Sequence, residues 1–327
     1  MLTKNNLPMF IRIFSYSILA ITFVFLVNNV LTIWFDWPGV KKLFSNYALF
    51  GFKKLNKPLE GSLLTLAFIQ LFFYLLSVLI VIFYVFKSIN QTLESDAEIL
   101  TKFTGYIIRS SFWAVLIVGA VDLIISFMIV ERLAEPIFGE TLKKKLIIPS
   151  FRITFVHFPL ILISFVIGYF TRTVGFIWLA VLVVASEFFI VVSRFIFEYE
   201  QAFQGDLVRF WYSALYLFAS AYALMHEGHV RVDVLYTGFS ERKKAWTNSI
   251  GSLLLGIPLC LIVLFLGMGG KASIINGPVI SFEITQQGSN GLYLLYLMAI
   301  YLAVFAVSML IQFTSYFMSS SDKLLKS

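Results

Sequence analysis

The sequence contains a single cysteine and few charged residues. Cys260 is the only cysteine among 327 residues, so no disulfide can form within the chain and the redox compartment is not indicated. Charged residues make up 13% of the chain, about half the fraction found in soluble domains. Because 59% of the residues are hydrophobic, a water-soluble fold could not bury them. The composition therefore predicts an all-α polytopic membrane protein.

The chain has a net charge of +7, but its basic residues do not form a nucleic-acid-binding pattern. They lie in short clusters between apolar runs, where they would meet anionic lipid headgroups. The first apolar run is too long for a signal peptide, and no A-x-A-like cleavage site accompanies it. We therefore expect membrane lipids as partners, no nucleic acid, and a retained N-terminal anchor.

Eight apolar runs are long enough to cross the hydrocarbon core, which takes about 20 residues. They cover residues 11–34, 62–86, 105–130, 151–170, 174–197, 208–226, 248–269 and 291–317. Residues 41–57 and 131–150 mix lysines with aromatic or aliphatic side chains, which is typical of short helices at the membrane surface. Pro258 predicts a kink in the seventh run, where Ser252 and Gly256 also permit close approach of another helix.

We single out four ionisable side chains inside the predicted spans, where each charge costs about 2.5–3.5 kcal/mol on insertion scales. They are Asp122, His157, Glu187 and Arg194. Neighbouring helices run antiparallel, so Asp122 and His157 fall at similar depth, and we expect a hydrogen bond between them. We expect Glu187 to lie near this Asp122–His157 pair or to pair separately with a group at a helix end. A proton or ion relay is possible chemistry for the set, but polar contact between helices is favoured because no other part of an ion site accompanies it.

The sequence "HEGHVRVD" at 226–233 is polar between apolar neighbours. On a continuous helix His226, His229 and Asp233 would share one face and could ligate zinc. A glycine between the histidines and the alternating pattern after them argue against such a helix, and the spacing is not that of H-E-x-x-H. A catalytic His–Asp pair would need a nucleophile or pocket, and the sequence offers none beside this motif. We favour a contact at the membrane boundary in which Arg231 and Asp233 bond each other, helix ends or a partner.

The stretch "RFWYSALYLFASAYALMHEGHVRVDVLYTGFSERKKAW" resembles the small membrane subunit of tripartite ATP-independent periplasmic (TRAP) transporters, the DctQ-like family. Its most specific part is H-V-R-V-D at 229–233, followed by a basic turn in which Ser240 is placed to cap a short helix. Arg194 matches the arginine that ends the preceding helix of the family. Glu200 or Asp206 matches, more loosely, the acid on the following connection.

The resemblance covers about residues 171 to 320, which is roughly half of the chain. The usual small subunit is about half this size. The resemblance therefore implies two parts, an N-terminal extension of about four transmembrane helices at 1–170 and a DctQ-like module of four helices at 171–327.

The resemblance implies a role without chemistry of its own, and no cofactor. In such transporters a large permease subunit carries the substrate and sodium sites, a periplasmic binding protein delivers an organic acid, and the small subunit supports the large one. The implied location is the bacterial inner membrane. The residues expected to order helix ends and contact the large subunit are Arg194, Asp206, His229, Arg231 and Asp233.

Two other functions remain open. A self-sufficient channel or carrier would use Asp122, His157 and Glu187 as a translocation path and would transport without another subunit. An intramembrane metalloenzyme would use the His/His/Asp set and would contain metal after purification.

The sequence has no G-x-x-x-x-G-K-[ST] nucleotide-binding motif, so the energy for transport would come from an ion gradient rather than from ATP.

Overall fold

The structure, a computed structural model, describes residues 6–171, 176–225, 236–285 and 290–326. No β-strand occurs in these ranges, and the predicted all-α polytopic class is confirmed. The helices are α1 (Leu7–Trp34), α2 (Gly39–Asn46), α3 (Gly61–Lys87), α4 (Leu93–Val130), α5 (Ala134–Leu146), α6 (Pro149–Phe170), α7 (Phe176–Ile196), α8 (Ala202–Met225), α9 (Glu241–Gly267), α10 (Asn276–Ile280) and α11 (Leu295–Lys326).

Seven helices of the described chain, rather than eight, are long and apolar enough to cross a membrane. They are α1, α3, α4, α6, α7, α9 and α11, and each coincides with a predicted span. The remaining predicted span, 208–226, lies on α8, which is 24 residues long but is not among the seven. Arg209, Trp211 and several tyrosines and serines make this helix less apolar than the others.

Two short helices occupy the connections that were predicted to lie at the membrane surface. α2 exposes Lys41 and Lys42 while it buries Leu43, as expected for an amphipathic segment. In α5, Lys143 donates a hydrogen bond of 2.8 Å to Glu135, and this ammonium holds the pKa of the exposed carboxyl below its usual value. The helical character of both connections therefore agrees with the prediction.

Ser240 caps the N-terminus of α9 as predicted, since its hydroxyl accepts a hydrogen bond from the Lys243 N–H. The helix that follows is not short. It continues from Glu241 to Gly267 and includes the predicted seventh span.

The kink expected at Pro258 takes the form of a π-helical turn. The turn covers Ser252–Gly256, just before the proline, whose ring nitrogen cannot donate the hydrogen bond of a regular turn. Gly256 also permits the predicted close helix approach. A Cβ added there would lie 2.5 Å from the Phe313 ring of α11.

The chain forms two compact units. The first comprises Met1–Glu98, Gly238–Leu255 and Thr314–Ser327, and the second comprises Ile99–Thr237 and Gly256–Phe313.

Polar side chains connect the helices of the first unit. Arg12 of α1 donates from Nε to Asp96 Oδ2 at 2.5 Å and from Nη1 to the Ser88 carbonyl at 2.8 Å. Gln70 of α3 accepts a hydrogen bond of 2.8 Å from the Gly39 N–H. Hydrocarbon offers no hydrogen-bond partner, so polar groups of a membrane protein are satisfied within the protein in this way.

α4 lies between α6 and α8 in the second unit and contacts both closely. A Cβ added at Gly168 of α6 would lie 2.8 Å from Ser110 Cα. Trp211 of α8 donates a hydrogen bond of 3.2 Å to the Val115 carbonyl, and a Cβ added at Gly119 would lie 2.8 Å from the same indole nitrogen. α4 therefore provides the central surface against which the polar residues described next are buried.

Candidate functional site

Asp122 of α4 is fully buried in the second unit, and both of its carboxylate oxygens have partners. Oδ1 lies 2.5 Å from Arg152 Nη2 and 2.8 Å from His157 Nε2, while Oδ2 accepts from the Tyr293 backbone N–H at 2.8 Å. The predicted hydrogen bond between Asp122 and His157 is therefore present. Because an ionised carboxylate can only accept, Nε2 carries the proton of the histidine.

A π-helical turn brings Arg152 and His157 to the same face of α6. The turn covers Ile153–His157 and is followed by Pro159. Residues five apart on a regular α-helix project about 140° from each other, whereas a π turn bonds residue i to residue i+5. Both side chains can therefore reach the same carboxylate on α4.

Two tyrosines bind this cluster to the segment that enters α11. His157 Nδ1 accepts a hydrogen bond of 3.1 Å from Tyr296 Oη, and the two rings are stacked with planes 11° apart. Tyr293 Oη donates to the Ile147 carbonyl at 2.9 Å, and burial raises the pKa of this phenol. The buried cluster, which we define as Asp122, Ser126, Arg152, His157, Tyr293 and Tyr296, thus joins α4, α6 and α11.

Arg152 is completely buried but only partly hydrogen-bonded. Its Nη2 also donates to the Asp122 carbonyl at 2.7 Å and to Ser126 Oγ at 2.8 Å. Nε and Nη1 form no hydrogen bond with any described residue. The guanidinium instead lies over the Tyr293 ring, 4.3 Å from its centroid, which is a cation–π contact. The charges of Arg152 and Asp122 balance, so the buried cluster can stabilise helix packing without carrying net charge into the protein.

A second buried carboxylate binds the neighbouring backbone amide. Asp206 of α8 accepts from the Leu292 N–H at 3.1 Å through Oδ2, and its Oδ1 lies 3.5 Å from Arg209 Nη1. Asp122 and Asp206 therefore accept from consecutive amides, those of Tyr293 and Leu292. Acids on two different helices fix the backbone just before α11 begins.

Gly291 lies where no side chain fits, because an added Cβ would overlap Thr285 Cγ2 and Asp206 Oδ2. We expect Gly291→Ala to displace Asp206 from the Leu292 N–H and to destabilise the chain by about 1–3 kcal/mol, the usual cost of overpacking. Thermal unfolding in detergent would measure the loss. Gly270→Ala is the matched control, since its Cβ would meet open space, and equal shifts in both variants would contradict the prediction.

Glu187 does not join the buried cluster. It is the twelfth of the 21 residues of α7, its side chain is exposed, and it makes no hydrogen bond or ion pair with a described residue. The expected bond to the cluster or to a helix-end group is therefore not found. Arg194, near the end of the same helix, lies 3.4 Å from Glu200 in a pair whose side chains are 59% and 60% exposed. Glu200, one of the two residues that could match the acid of the family, is thus the one beside Arg194.

A cavity of about 610 Å³ lies between α4 and α7. Apolar side chains line most of it, including Phe127 and Phe189. At one end Tyr199 Oη donates a hydrogen bond of 2.6 Å to Glu131, and burial together with this carboxylate raises the pKa of the phenol. Apart from Glu131, Ser193 and Tyr199, the residues that line the cavity are apolar.

The polar motif that follows α8 lies outside the described residues. Its candidate residues are His226, His229, Arg231 and Asp233, and the last described residue of α8 is Met225. The boundary contact and the zinc alternative assigned to this motif therefore stay predictions.

Comparison with protein families identifies the C-terminal part of the chain. Residues 179–318 match the model of the DctQ component of tripartite ATP-independent periplasmic transporters. The chain therefore contains a DctQ-like segment. This match confirms the resemblance predicted over about residues 171 to 320. No curated protein and no solved structure matches the chain.

The buried cluster joins the DctQ-like segment to helices that precede it. Tyr293 and Tyr296 lie within residues 179–318, whereas α4 and α6 lie N-terminal to them. Asp122 and His157 were predicted from the sequence, but Arg152 and the two tyrosines were not. The sequence feature that could have indicated Arg152 is its position five residues before His157, with Pro159 two residues after the histidine.

Proposed function

We propose that this chain is the small permease subunit of a TRAP-type secondary transporter in the bacterial inner membrane. The match of residues 179–318 to the DctQ component carries this proposal. In this role the chain scaffolds a large permease subunit, which holds the substrate and sodium sites, and a periplasmic binding protein delivers an organic acid. Uptake is driven by the sodium gradient, and no catalysis or cofactor is assigned to this chain.

The contacts of the intramembrane polar residues favour a scaffold over a carrier. Asp122 and His157 are bound to each other and to the residues that enter α11, so their polar atoms already serve helix packing. Glu187, the third residue of the alternative translocation path, makes no bond with them in the described residues. A relay through these three side chains would need such contacts.

We further propose that residues 1–170 are an N-terminal extension attached to a DctQ-like module at 171–327. The buried cluster supports this attachment, because Asp122 and Arg152 of the extension contact Tyr293 of the module. Within the module, Arg194, Asp206, His229, Arg231 and Asp233 are assigned to ordering helix ends and contacting the large subunit. The contact of Asp206 with the Leu292 N–H is of the kind that this role requires.

Co-expression with a large TRAP permease subunit tests the proposal. We expect the tagged chain to recover the large subunit from detergent-solubilised membranes. Liposomes that contain both subunits should take up an organic acid when the binding protein and an inward sodium gradient are supplied. Liposomes with this chain alone should show no uptake. Uptake by the chain alone, or failure to recover the large subunit, would contradict the assignment.

A further inference from the structure

α7 carries an exposed acid near the middle of a helix that is apolar enough to cross a membrane. Glu187 is the twelfth of 21 residues, and its side chain is exposed. A carboxyl group at this depth is costly because hydrocarbon supplies neither a counter-charge nor a hydrogen-bond donor. No described residue bonds to it, so Glu187 has no partner within the described part of the chain.

The surface around Glu187 has the spacing of a helix-packing seam. Positions separated alternately by three and four residues lie along one side of a helix, and six such positions of α7 form what we call the Glu187 strip. Its members are Ile177, Ala180, Val184, Glu187, Val191 and Arg194. Ile177, Val184 and Val191 are 70%, 68% and 49% exposed, so this chain leaves most of the strip uncovered. Ala180, another member of the strip, is small enough to let a second helix approach closely.

α7 uses a different strip for packing within this chain. Leu179, Ser186 and Ser193 are spaced by seven residues and are 2%, 5% and 5% exposed. Glu187 follows Ser186 directly and therefore projects about 100° around the helix from this buried strip. The internal contacts of α7 thus leave Ile177, Val184, Glu187 and Val191 of the Glu187 strip exposed.

We infer that a transmembrane helix of the large permease subunit packs on the Glu187 strip and places a basic or hydrogen-bond-donating side chain opposite the acid. The identity of this partner rests on the proposed function. A cation or hydrogen-bond donor that faces hydrocarbon is costly, as the carboxyl group is. Association of the two helices therefore gives each of these side chains a partner. A second copy of this chain fits less well, because a two-fold contact through the strip would place Glu187 against its own counterpart.

Photo-cross-linking from α7 locates the contact directly. A photoreactive amino acid at Val184, in the chain co-expressed with the large subunit, should cross-link to that subunit. The same amino acid at Ala185 is the matched control. Ala185 is also exposed and at almost the same depth, but it lies on the other side of the helix and should not form this cross-link.

Charge reversal tests the chemistry of the contact. Glu187→Lys should lower recovery of the large subunit at least about tenfold, because two cations, or two hydrogen-bond donors, would then face each other. Glu187→Gln should retain most of the recovery, because its amide still forms hydrogen bonds. Ala185→Lys carries a similar insertion cost on the opposite side and should leave recovery unchanged, which separates a lost contact from failed insertion.

The two proposals fail in different ways. If the wild-type chain recovers the large subunit but Val184 cross-links only to lipid or to a second copy of this chain, the inferred surface is wrong and the proposed function stands. Equal recovery with Glu187→Lys and with the wild type would also overturn the inferred surface. If the wild-type chain recovers no large subunit, both proposals fall.

Discussion

Replacing Asp122 with alanine is expected to lower the free energy of unfolding by about 3–5 kcal/mol, because Arg152 would become an unpaired buried cation. The Tyr293 N–H and His157 Nε2 would lose their acceptor as well. In lipid or detergent no water can replace these bonds at a fully buried site. Thermal unfolding of the purified chain in detergent micelles would measure the change.

Two comparisons distinguish a charge effect from a general loss of packing. Glu140→Ala removes a carboxylate from an exposed pair with Lys144 and should leave the unfolding midpoint unchanged. Asp122→Leu combined with Arg152→Met removes both buried charges and should be more stable than Asp122→Leu alone. If Asp122→Ala unfolds at the same temperature as Glu140→Ala, the buried cluster does not stabilise the second unit.

Replacing Arg12 with methionine is expected to have an effect of the same size in the first unit. Arg12 is 2% exposed and donates to Asp96, to the carbonyl and hydroxyl of Ser88, and to Gln91. Methionine retains much of the volume but leaves the completely buried Asp96 without a counter-charge, which costs about 3–5 kcal/mol. Unfolding in detergent would report the total loss.

A local measurement accompanies this variant. Arg12 holds the connection between α3 and α4, so Arg12→Met should also speed proteolytic cleavage near Ser88 and Gln91. Lys326→Met is the matched control, because Lys326 pairs with Glu94 and Asp322 at an exposed position. Cleavage and unfolding indistinguishable between the two variants would show that Arg12 does not hold this connection.

The apolar runs predicted most of the fold because the membrane imposes a simple length requirement. Seven predicted spans coincide with helices of sufficient length and apolarity. The same geometry placed Asp122 and His157 at similar depth, and the structure gives 2.8 Å between Asp122 Oδ1 and His157 Nε2. α8 departs from the prediction because its polar and aromatic residues lower its apolar content.

The rest of the buried cluster depends on features that hydropathy does not contain. Arg152 lies at the start of a predicted span, where a basic residue is expected to extend toward the headgroups. Only the π turn at Ile153–His157 brings it under Asp122. Tyr293 contributes its backbone N–H to this carboxylate, and residue type does not reveal that contact.

Glu187 shows a different limit of sequence reasoning. Its depth was predicted, but whether the helix turns it toward this chain or away from it depends on which face of α7 packs internally. Serines at 186 and 193 and Leu179 occupy that face, although the hydropathy of the neighbouring valines would suit it equally well. The partner that we infer for this exposed acid belongs to another protein, so the sequence of this chain does not contain it.

The two π turns also determine how this chain should be aligned with others. A π turn closes with one residue more than the α-helical turn that it replaces. A relative with uninterrupted α-helices at these positions would need single-residue gaps inside two transmembrane segments. Helical-wheel diagrams of α6 and α9 should accordingly be drawn in two parts, with a new rotational origin after His157 and after Gly256.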